Sequence, residues 1–210
     1  DKKLSESPFL SSGIGGILHI ASSYSNRFDE VILQLPKGRI LKGINISANR
    51  RQTSITNASL ENATLNTNGY LLRIEGSRIK NSKLTTPNII NIFDTDLTDS
   101  QLESTKHHIH AENIQVHGKV ELMAKTDLQL LLSEEEKQRI NLDLSTKHGS
   151  ILHFLREGRR SFKNKENKDE RLSNPYKTEK ADAKDQLMAR AEQDIYLLKS
   201  EEHESSSRNR

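Results

Sequence analysis

The sequence contains no cysteine, few aromatic residues and few hydrophobic residues of any kind. Aromatic residues make up 4% of the 210 residues, and hydrophobic residues make up 32%. Without cysteine the chain forms no disulfide bond and no zinc–thiolate site, and it has no cysteine nucleophile. It also has no run of about 18 apolar residues, so the sequence predicts no transmembrane helix. So low an apolar fraction favours a fold whose units each bury few side chains.

The chain also lacks a strong excess of charge of one sign. Lys and Arg number 32 and Asp and Glu number 29, which gives a formal net charge of +3. A nucleic-acid-binding domain concentrates basic residues on one face, so we expect no nucleic-acid partner. The glycine-rich stretch around Gly13 lacks the Lys-Ser/Thr pair that closes a phosphate-binding loop, and no other motif indicates a cofactor.

A regular apolar repeat runs from Ser54 to Val116. A branched apolar residue recurs about every five positions, with a small residue two positions before it. These pairs are Thr53/Ile55, Ala58/Leu60, Ala63/Leu65, Ser77/Ile79, Ser82/Leu84, Thr95/Leu97 and Ser100/Leu102. The longer spacing is also regular, with steps of 19, 18 and 17 residues through Ile55, Ile74, Ile92 and Ile109 and again through Leu60, Ile79, Leu97 and Ile114. A period near 18 indicates a solenoid of stacked coils.

The side chains between the apolar positions indicate the corners of each coil. Asn57, Asn62 and Asn81 suit corner turns, because asparagine tolerates left-handed backbone geometry. The denser apolar runs near Tyr70 and Ile90 predict one longer and less regular side of the stack. We expect any partner of the solenoid to bind on that side.

The flanking segments predict a cap at each end. We expect residues 1–35 to form an N-terminal cap, residues 36–132 the solenoid, and residues 133–158 a helical C-terminal cap. The acidic stretch after Ser133 has the form of a capping box and predicts a helix from Glu134 to Leu142. A second short helix is predicted from Ser150 to Glu157.

Residues 159–178 and 179–210 are predicted to be a charged linker and an amphipathic helix with a disordered tail. The helix would carry one apolar stripe, formed by Leu187, Ala191, Ile195 and Leu198. That stripe either docks on the solenoid or binds a partner. The linker region is either solvated or forms a basic membrane-surface patch of Arg156, Arg159, Arg160, Lys163 and Lys165.

The histidines and aspartates near the end of the repeat are the candidate chemical groups. If Ile109 points inwards, His108 and His110 lie on one outward face and could bind a metal ion with Asp94 or Asp96. The alternative is that they are solvated residues, as His107 and His117 are expected to be. Asp94, Asp96 and Asp99 could likewise form an acid–base pair or serve as corner residues.

The stretch ITNASLENATLNT resembles the pentapeptide-repeat family, and the later stretches KHGSILHFL and KDQLMARAEQDIYLL resemble helices of enteric bacterial type III secreted effectors. The resemblance implies a mainly β, right-handed, four-sided parallel β-helix followed by short α-helices. It implies a non-enzymatic protein-interaction scaffold, secreted into the host-cell cytoplasm or onto an endomembrane surface, with host protein partners.

Two alternative functions remain open. The chain could be the substrate-recruiting part of a larger effector ubiquitin ligase, whose catalytic cysteine would have to lie in another domain. It could also be an exported surface solenoid of the adhesin type.

Overall fold

The computed structural model describes residues 16–20, 30–34, 40–42, 44–48, 52–156, 170–172 and 175–200. The first strands are β1 (Gly16–Ile20), β2 (Glu30–Gln34), β3 (Ile40–Lys42), β4 (Ile44–Ala48), β5 (Gln52–Thr56), β6 (Ser59–Glu61), β7 (Thr64–Thr67), β8 (Leu71–Glu75), β9 (Arg78–Lys80), β10 (Lys83–Thr86), β11 (Ile89–Phe93) and β12 (Asp96–Thr98). They continue as β13 (Gln101–Ser104), β14 (Ile109–Glu112), β15 (Gln115–His117), β16 (Lys119–Ala124) and β17 (Leu128–Leu131). The helix α1 (Glu134–Arg139) precedes β18 (Asn141–Thr146), β19 (Ile151–Arg156), β20 (Glu170–Leu172), β21 (Tyr176–Lys177), β22 (Gln186–Ala191) and β23 (Ile195–Ser200).

The strands form three sheets, so the protein is a mainly β solenoid with three sides. Sheet A has the order β1-β4-β7-β10-β13-β16-β22-β18-β21, and sheet B has the order β2-β5-β8-β11-β14-β17-β23-β19-β20. Sheet C has the order β15-β12-β9-β6-β3. Each full coil gives one strand to each sheet and pairs in parallel with the coils beside it. Only β20 and β21 pair antiparallel among the described strands. The predicted four-sided cross-section is therefore wrong.

The strand register corrects the predicted shortening of the coils. Ile109 lies beside Ile90, and the residue beside Ile92 is Ala111. In sheet C, Val116 pairs with Leu97 two residues later than predicted. In the coil through residues 109–116, the large inward residue therefore comes first, at Ile109, and the small one second, at Ala111. This coil is no shorter than the coils before it.

The predicted anchors form the core. Every branched residue of the repeat is at most 2% exposed, as are the later core positions Val116, Val120, Leu122 and Leu128. The small residues before the anchors are buried at the corners, where a hydroxyl also completes the backbone hydrogen bonding. The Ser100 hydroxyl accepts from the Ser82 amide at 3.1 Å and donates to the Thr98 carbonyl at 2.6 Å. Ser82 and Ser77 repeat this pattern one coil earlier, towards the amides of Ala63 and Ala58.

The predicted corner asparagines have the expected geometry. Asn57, Asn62 and Asn81 have φ of 51°, 53° and 48°. The later coils place Asp94, Asp99, Asn113 and two glycines at equivalent left-handed corners. Gly118 has a φ of 63°, and an added Cβ atom there would lie 2.1 Å from Asp99 Oδ1. That position therefore favours glycine for both reasons.

Both predicted caps differ from the structure. Within residues 1–35, β1 and β2 pair in parallel with β4 and β5, so they extend sheets A and B. The stretches GILHI and EVILQ are rich in β-branched residues, which favours strands. At the other end, the predicted helix from Ser150 to Glu157 is β19. The solenoid is therefore longer in both directions than residues 36–132.

The predicted amphipathic helix from Glu179 to Ser200 is also wrong. Its residues form β22 and β23, which lie inside sheets A and B. Leu187, Ala191, Ile195 and Leu198 are at most 5% exposed. The spacing that indicated a helical stripe combines inward positions of two strands, at Leu187, Ala191 and Ile195, with Leu198, which is buried on the opposite side of β23.

Helix α1 begins where the capping box predicts. Ser133 is its N-cap, and the Ser133 hydroxyl accepts from the Glu136 amide at 3.1 Å. The Glu136 carboxylate does not complete the box, because it binds the Val116 amide at 2.7 Å. The helix ends at Arg139, three residues before the predicted end.

The predicted basic membrane patch lies largely outside the described residues. Arg159, Arg160, Lys163 and Lys165 fall there, and Arg156 is the last residue of β19. The same is true of most of the charged linker and of residues 201–210. Within the described part of the chain, no helix is long and apolar enough to cross a membrane.

Candidate functional site

The outer side of sheet B carries a row of partly exposed polar or aromatic side chains at aligned positions of five neighbouring strands. Alternation along each strand turns these side chains away from the core. The strand register aligns them from β8 to β23. We call this the central row, and it consists of Arg73, Asn91, His110, Gln129 and Tyr196.

The first half of the central row is stacked with its neighbours. The Arg73 guanidinium lies 2.7 Å from the Glu75 carboxylate and 5.0 Å from the centre of the Phe93 ring. The Phe93 ring lies 5.5 Å from the His110 ring at an angle of 48°. A cation over an aromatic face and a tilted ring pair are both favourable arrangements. These contacts hold the three side chains in a fixed arrangement across three strands.

His110 links this stack to the next strand. Its Nδ1 atom lies 2.9 Å from Gln129 Oε1, and its Nε2 atom lies 3.4 Å from Glu112 Oε2. The His110 side chain is 17% exposed, so one edge of the ring remains accessible at the surface. The row therefore offers amide, carboxylate and aromatic groups within a short distance of one another.

A second row lies one residue before the strands of sheet B and consists of His108, Asp127 and Asp194. Asp127 Oδ1 accepts from the Asp194 amide at 3.1 Å, and Asp194 Oδ1 accepts from the Ser150 amide at 2.7 Å. The Tyr196 hydroxyl donates to Asp194 Oδ2 at 3.4 Å. Burial, together with Asp127 and Asp194, raises the pKa of Tyr196 to about 12. Tyr196 is therefore a neutral hydrogen-bond donor at physiological pH.

His108 makes the stability of this edge depend on pH. Burial lowers the pKa of His108 below its ordinary value of 6.5; nearby Asp127 opposes this shift, and His107 and His110 add to it. The unfolded chain therefore binds the proton more tightly than the folded chain. The contribution of His108 to stability is complete above pH 6.5 and is lost as the pH falls from there towards the folded pKa.

We expect the free energy of unfolding to fall more in the unmodified chain than in a His108→Gln variant when the pH is lowered from about 7.5 to about 5. Urea unfolding of both chains at the two pH values measures this difference. The carboxylates titrate in both chains, so the comparison isolates His108. An equal fall in both chains would contradict the prediction.

The predicted metal site is not assembled in the described residues. Ile109 is buried between the partly exposed His108 and His110, as the prediction requires. The proposed third ligands are engaged elsewhere, because Asp94 accepts from Asn113 Nδ2 at 2.5 Å and Asp96 pairs with Arg78 at 3.3 Å. No group of three histidines or carboxylates that could hold a metal ion occurs in the described part of the chain.

The predicted acid–base carboxylates lie at separate corners of the coils. Asp94 and Asp99 are the left-handed residues at two different corners, and Asp96 lies on sheet C. Asp99 Oδ1 accepts from the Lys119 amide at 2.9 Å, so it serves the next coil. Asp94 and Asp99 are thus corner residues, as the alternative interpretation predicts, whereas Asp96 is a strand residue paired with Arg78.

The four residues predicted to bind a partner are part of the core. Leu187 and Ile195 are fully buried, and Ala191 and Leu198 are 5% and 3% exposed. A stripe in this position offers no surface to a partner. The prediction of a binding helix therefore loses its structural basis.

Sequence reasoning missed the residues of the central row individually, although it indicated their side of the stack. Tyr70 is 66% exposed and immediately precedes β8, whereas Ile90 points inwards and is fully buried. The row recurs at the period of the solenoid, but each position has a different residue type. The sequence therefore indicated these residues only by their position within the repeat of the solenoid, and no motif marked them.

A groove of about 440 Å³ lies on the outer side of sheet A, at its corner with sheet B. Two of its three cations, Lys125 and Arg190, are already paired, and the third is Lys147. Lys125 lies 2.6 Å from Glu192, and Arg190 lies 2.8 Å from Asp143. Its lining of three cations and two carboxylates gives little excess charge for an ionic ligand, and the central row is the better candidate site.

The comparisons with known proteins identify the family and correct the predicted one. No curated protein and no solved structure matches this chain. A family model described as Toastrack DUF4097 matches residues 1–198. The resemblance to pentapeptide-repeat proteins and type III effectors is therefore wrong, in agreement with three strands per coil in place of four sides. The chain belongs to the Toastrack DUF4097 family.

Proposed function

We propose that this Toastrack solenoid is a non-enzymatic protein-binding scaffold and that the outer side of sheet B holds its partner. The observation that carries the proposal is the placement of the aromatic side chains. Of the aromatic residues in the described segments, Phe93, Phe154 and Tyr196 lie on strands of sheet B and Tyr70 immediately precedes one, whereas Tyr176 lies on sheet A. Tyrosine, phenylalanine and arginine are the residues enriched in the energetically important parts of protein interfaces.

The contacts within the central row support a protein partner in particular. Arg73 and Glu75 are each 40% exposed, and Glu112 beside them is 26% exposed. Charges of both signs alternating with aromatic rings suit a polypeptide surface, whereas a nucleic acid would require an excess of cations. Because the side chains are already stacked, little conformational entropy is lost when a partner binds.

Three glutamines provide a matched test of which side binds. Gln129 lies on the outer side of sheet B, Gln115 on sheet C and Gln101 on sheet A. Each is replaced in turn by a photo-crosslinking benzoylphenylalanine, and the full-length chain is irradiated in its native cells. We expect one protein adduct from position 129 and little from positions 101 and 115, as judged by mass spectrometry.

Two further variants connect the adduct to the site. Phe93→Ala and Tyr196→Ala are expected to lower the yield of the adduct from position 129 by removing the aromatic contacts. An adduct that forms equally from all three sides, or only from sheets A and C, would contradict the proposal.

The three settings predicted from the sequence stay predictions, and the identity of the adduct separates them. A host-cell protein supports a secreted effector in the host cytoplasm or on an endomembrane surface. A ubiquitination substrate supports the recruiting part of a larger ligase, and an envelope or host-surface protein supports an exported surface solenoid.

We infer in addition that the coils wind in a right-handed sense. Connections between parallel strands of one sheet are right-handed in about 98% of cases, because twisted strands return to the sheet most easily that way. An experimental structure of residues 52–156 within the full chain tests the hand directly, and a left-handed path would contradict it.

A further inference from the structure

The last two strands fill a gap that the rest of the chain leaves open. Strands β16 and β18 do not pair with each other, because β22 lies between them and pairs in parallel with six residues of each. In the same way β23 lies between β17 and β19. We call the gap between the β16–β17 coil and the β18–β19 coil the slot.

The contacts in the slot come almost entirely from distant parts of the sequence. Leu187 pairs with Val120 on one side and with Leu142 on the other. Leu187, Ala189 and Ile195 are fully buried in the slot. The strand pair therefore brings a complete set of backbone and apolar contacts, and none depends on the residues just before it.

The connection to the slot is long. Strand β19 ends at residue 156 and β22 begins at residue 186, so 29 residues lie between them. When extended they span up to roughly 95 Å. Strand β21 is fixed to β18 of the same chain, and Thr178 and Lys180 bond to Leu142 and Asn141. The residues 181–185 that follow span roughly 16 Å when extended. The strand pair can therefore reach a slot outside its own chain.

Asp185, the last residue of this connection, makes polar contacts in the folded chain. The Gly118 amide donates to Asp185 Oδ1 at 2.7 Å, and the Arg139 guanidinium pairs with Asp185 Oδ2. These contacts lie at the mouth of the slot, on the side where β22 enters. They position the strand pair but are separate from its buried contacts.

We infer that the slot also accepts β22–β23 from a second copy of this chain, which gives a reciprocal strand-exchanged dimer. The contacts within the slot are identical in the monomer and in the dimer, so exchange costs the entropy of association and the few bonds of the connection, such as that from Asn141 Nδ2 to the Ala183 carbonyl. Mass action then sets the share of dimer through the chain concentration. This inference is independent of the proposed binding side on sheet B.

The absence of natural cysteine allows a direct test in the full-length chain. Glu121 on β16 lies beside Met188 on β22, on the outward side of sheet A. Neighbouring strands are about 4.8 Å apart, which is within the range that a disulfide bond requires. One chain carries Glu121→Cys and the other Met188→Cys; they are mixed, unfolded, refolded together and oxidised. A disulfide-linked dimer forms only where β22 of one copy enters the slot of the other.

Two controls define the result. Lys83→Cys replaces Glu121→Cys as a mismatched partner, since β13 and β16 separate β10 from β22 in sheet A. A single chain with both Glu121→Cys and Met188→Cys reports whether the disulfide closes within a monomer. We expect the mixed single variants to give more linked dimer than the Lys83 control, and each tenfold dilution before refolding to lower the dimer fraction by up to about tenfold.

Each other outcome overturns the inference. If the double variant closes within the monomer while the mixed single variants never exceed the Lys83 control, the slot accepts only its own strands. If the double variant does not form the disulfide, the slot itself is wrongly assigned. Light scattering of the unmodified chain after the same refolding provides a second measurement, and a monomer at every concentration would also refute exchange.

Discussion

Replacing Glu136 by alanine is expected to lower the free energy of unfolding by about 2–3 kcal/mol, because a buried donor left without its acceptor costs roughly 1–3 kcal/mol. The reason is the way in which sheet C ends. Strand β15 is its last strand, so one side of Val116 has no strand partner. The Val116 amide donates instead to Glu136 Oε1 at 2.7 Å, and the Val116 carbonyl accepts from Arg139 Nη2.

Helix α1 thus replaces a missing strand with two side chains. Glu136 is 6% exposed, although it is charged, and it lies 2.7 Å from the Arg139 guanidinium. Alanine at position 136 removes the acceptor of a buried amide and leaves Arg139 with Asp185 as its remaining carboxylate partner. An open sheet edge of this kind would also be available for pairing with other chains.

Glu135 provides the matched control for this substitution. It lies in the same turn of α1 and is exposed to solvent. Glu135→Ala is expected to change the free energy of unfolding by less than about 0.5 kcal/mol. Glu136→Gln keeps an acceptor for Val116 and should fall between the two. Urea unfolding of the three variants measures these values, and similar effects at positions 135 and 136 would show that α1 does not cap the sheet.

Replacing Leu187 by alanine is expected to destabilise the chain by about 2–5 kcal/mol, the range for truncating a fully buried leucine. Leu187 lies in the slot with core strands on both sides, and it is 0% exposed. The surrounding strands are held by their own ladders, so they cannot close around the cavity. If Leu187 lay in an exposed helix instead, Leu187→Ala would lower the free energy of unfolding far less.

Met188 is the matched control in the same strand. It points outwards and is partly exposed, so Met188→Ala should cost less than about 1 kcal/mol. Equilibrium unfolding by urea, followed by circular dichroism, compares the two variants. Equal small effects would place residues 186–191 outside the stack.

The repeat and its corners could be predicted from the sequence because their determinants are local. Each inward position needs an apolar residue, and each corner needs a residue such as Asn57 that tolerates a positive φ. The pairs of the repeat stop after Leu65 and resume at Ser77, and a break of this kind in each coil is compatible with three sides. Its resemblance to a four-sided family led to the wrong cross-section.

The C-terminal strands could not be predicted in the same way, because their partners are distant in sequence. Leu187, Ala189 and Ala191 occupy alternate positions, as the inward residues of a strand do. Alanine also favours a helix, so this short segment taken alone is consistent with either structure. The central row could not be predicted from the sequence for a related reason. Arg73 and Gln129 share a position in the period and have different chemistry, so no motif connects them before the strands are aligned.

Amide hydrogen exchange of the full-length chain tests most directly whether the C-terminal strands lie inside the stack. The slot predicts that the amides of Leu187–Ala191 and Ile195–Leu198 exchange as slowly as those of β13, which lies in the middle of sheet A. An exposed helix or a loosely attached segment would instead open locally and exchange far faster than β13. Slow exchange in both groups is the expected result, and fast exchange limited to residues 186–200 would contradict the inserted strand pair.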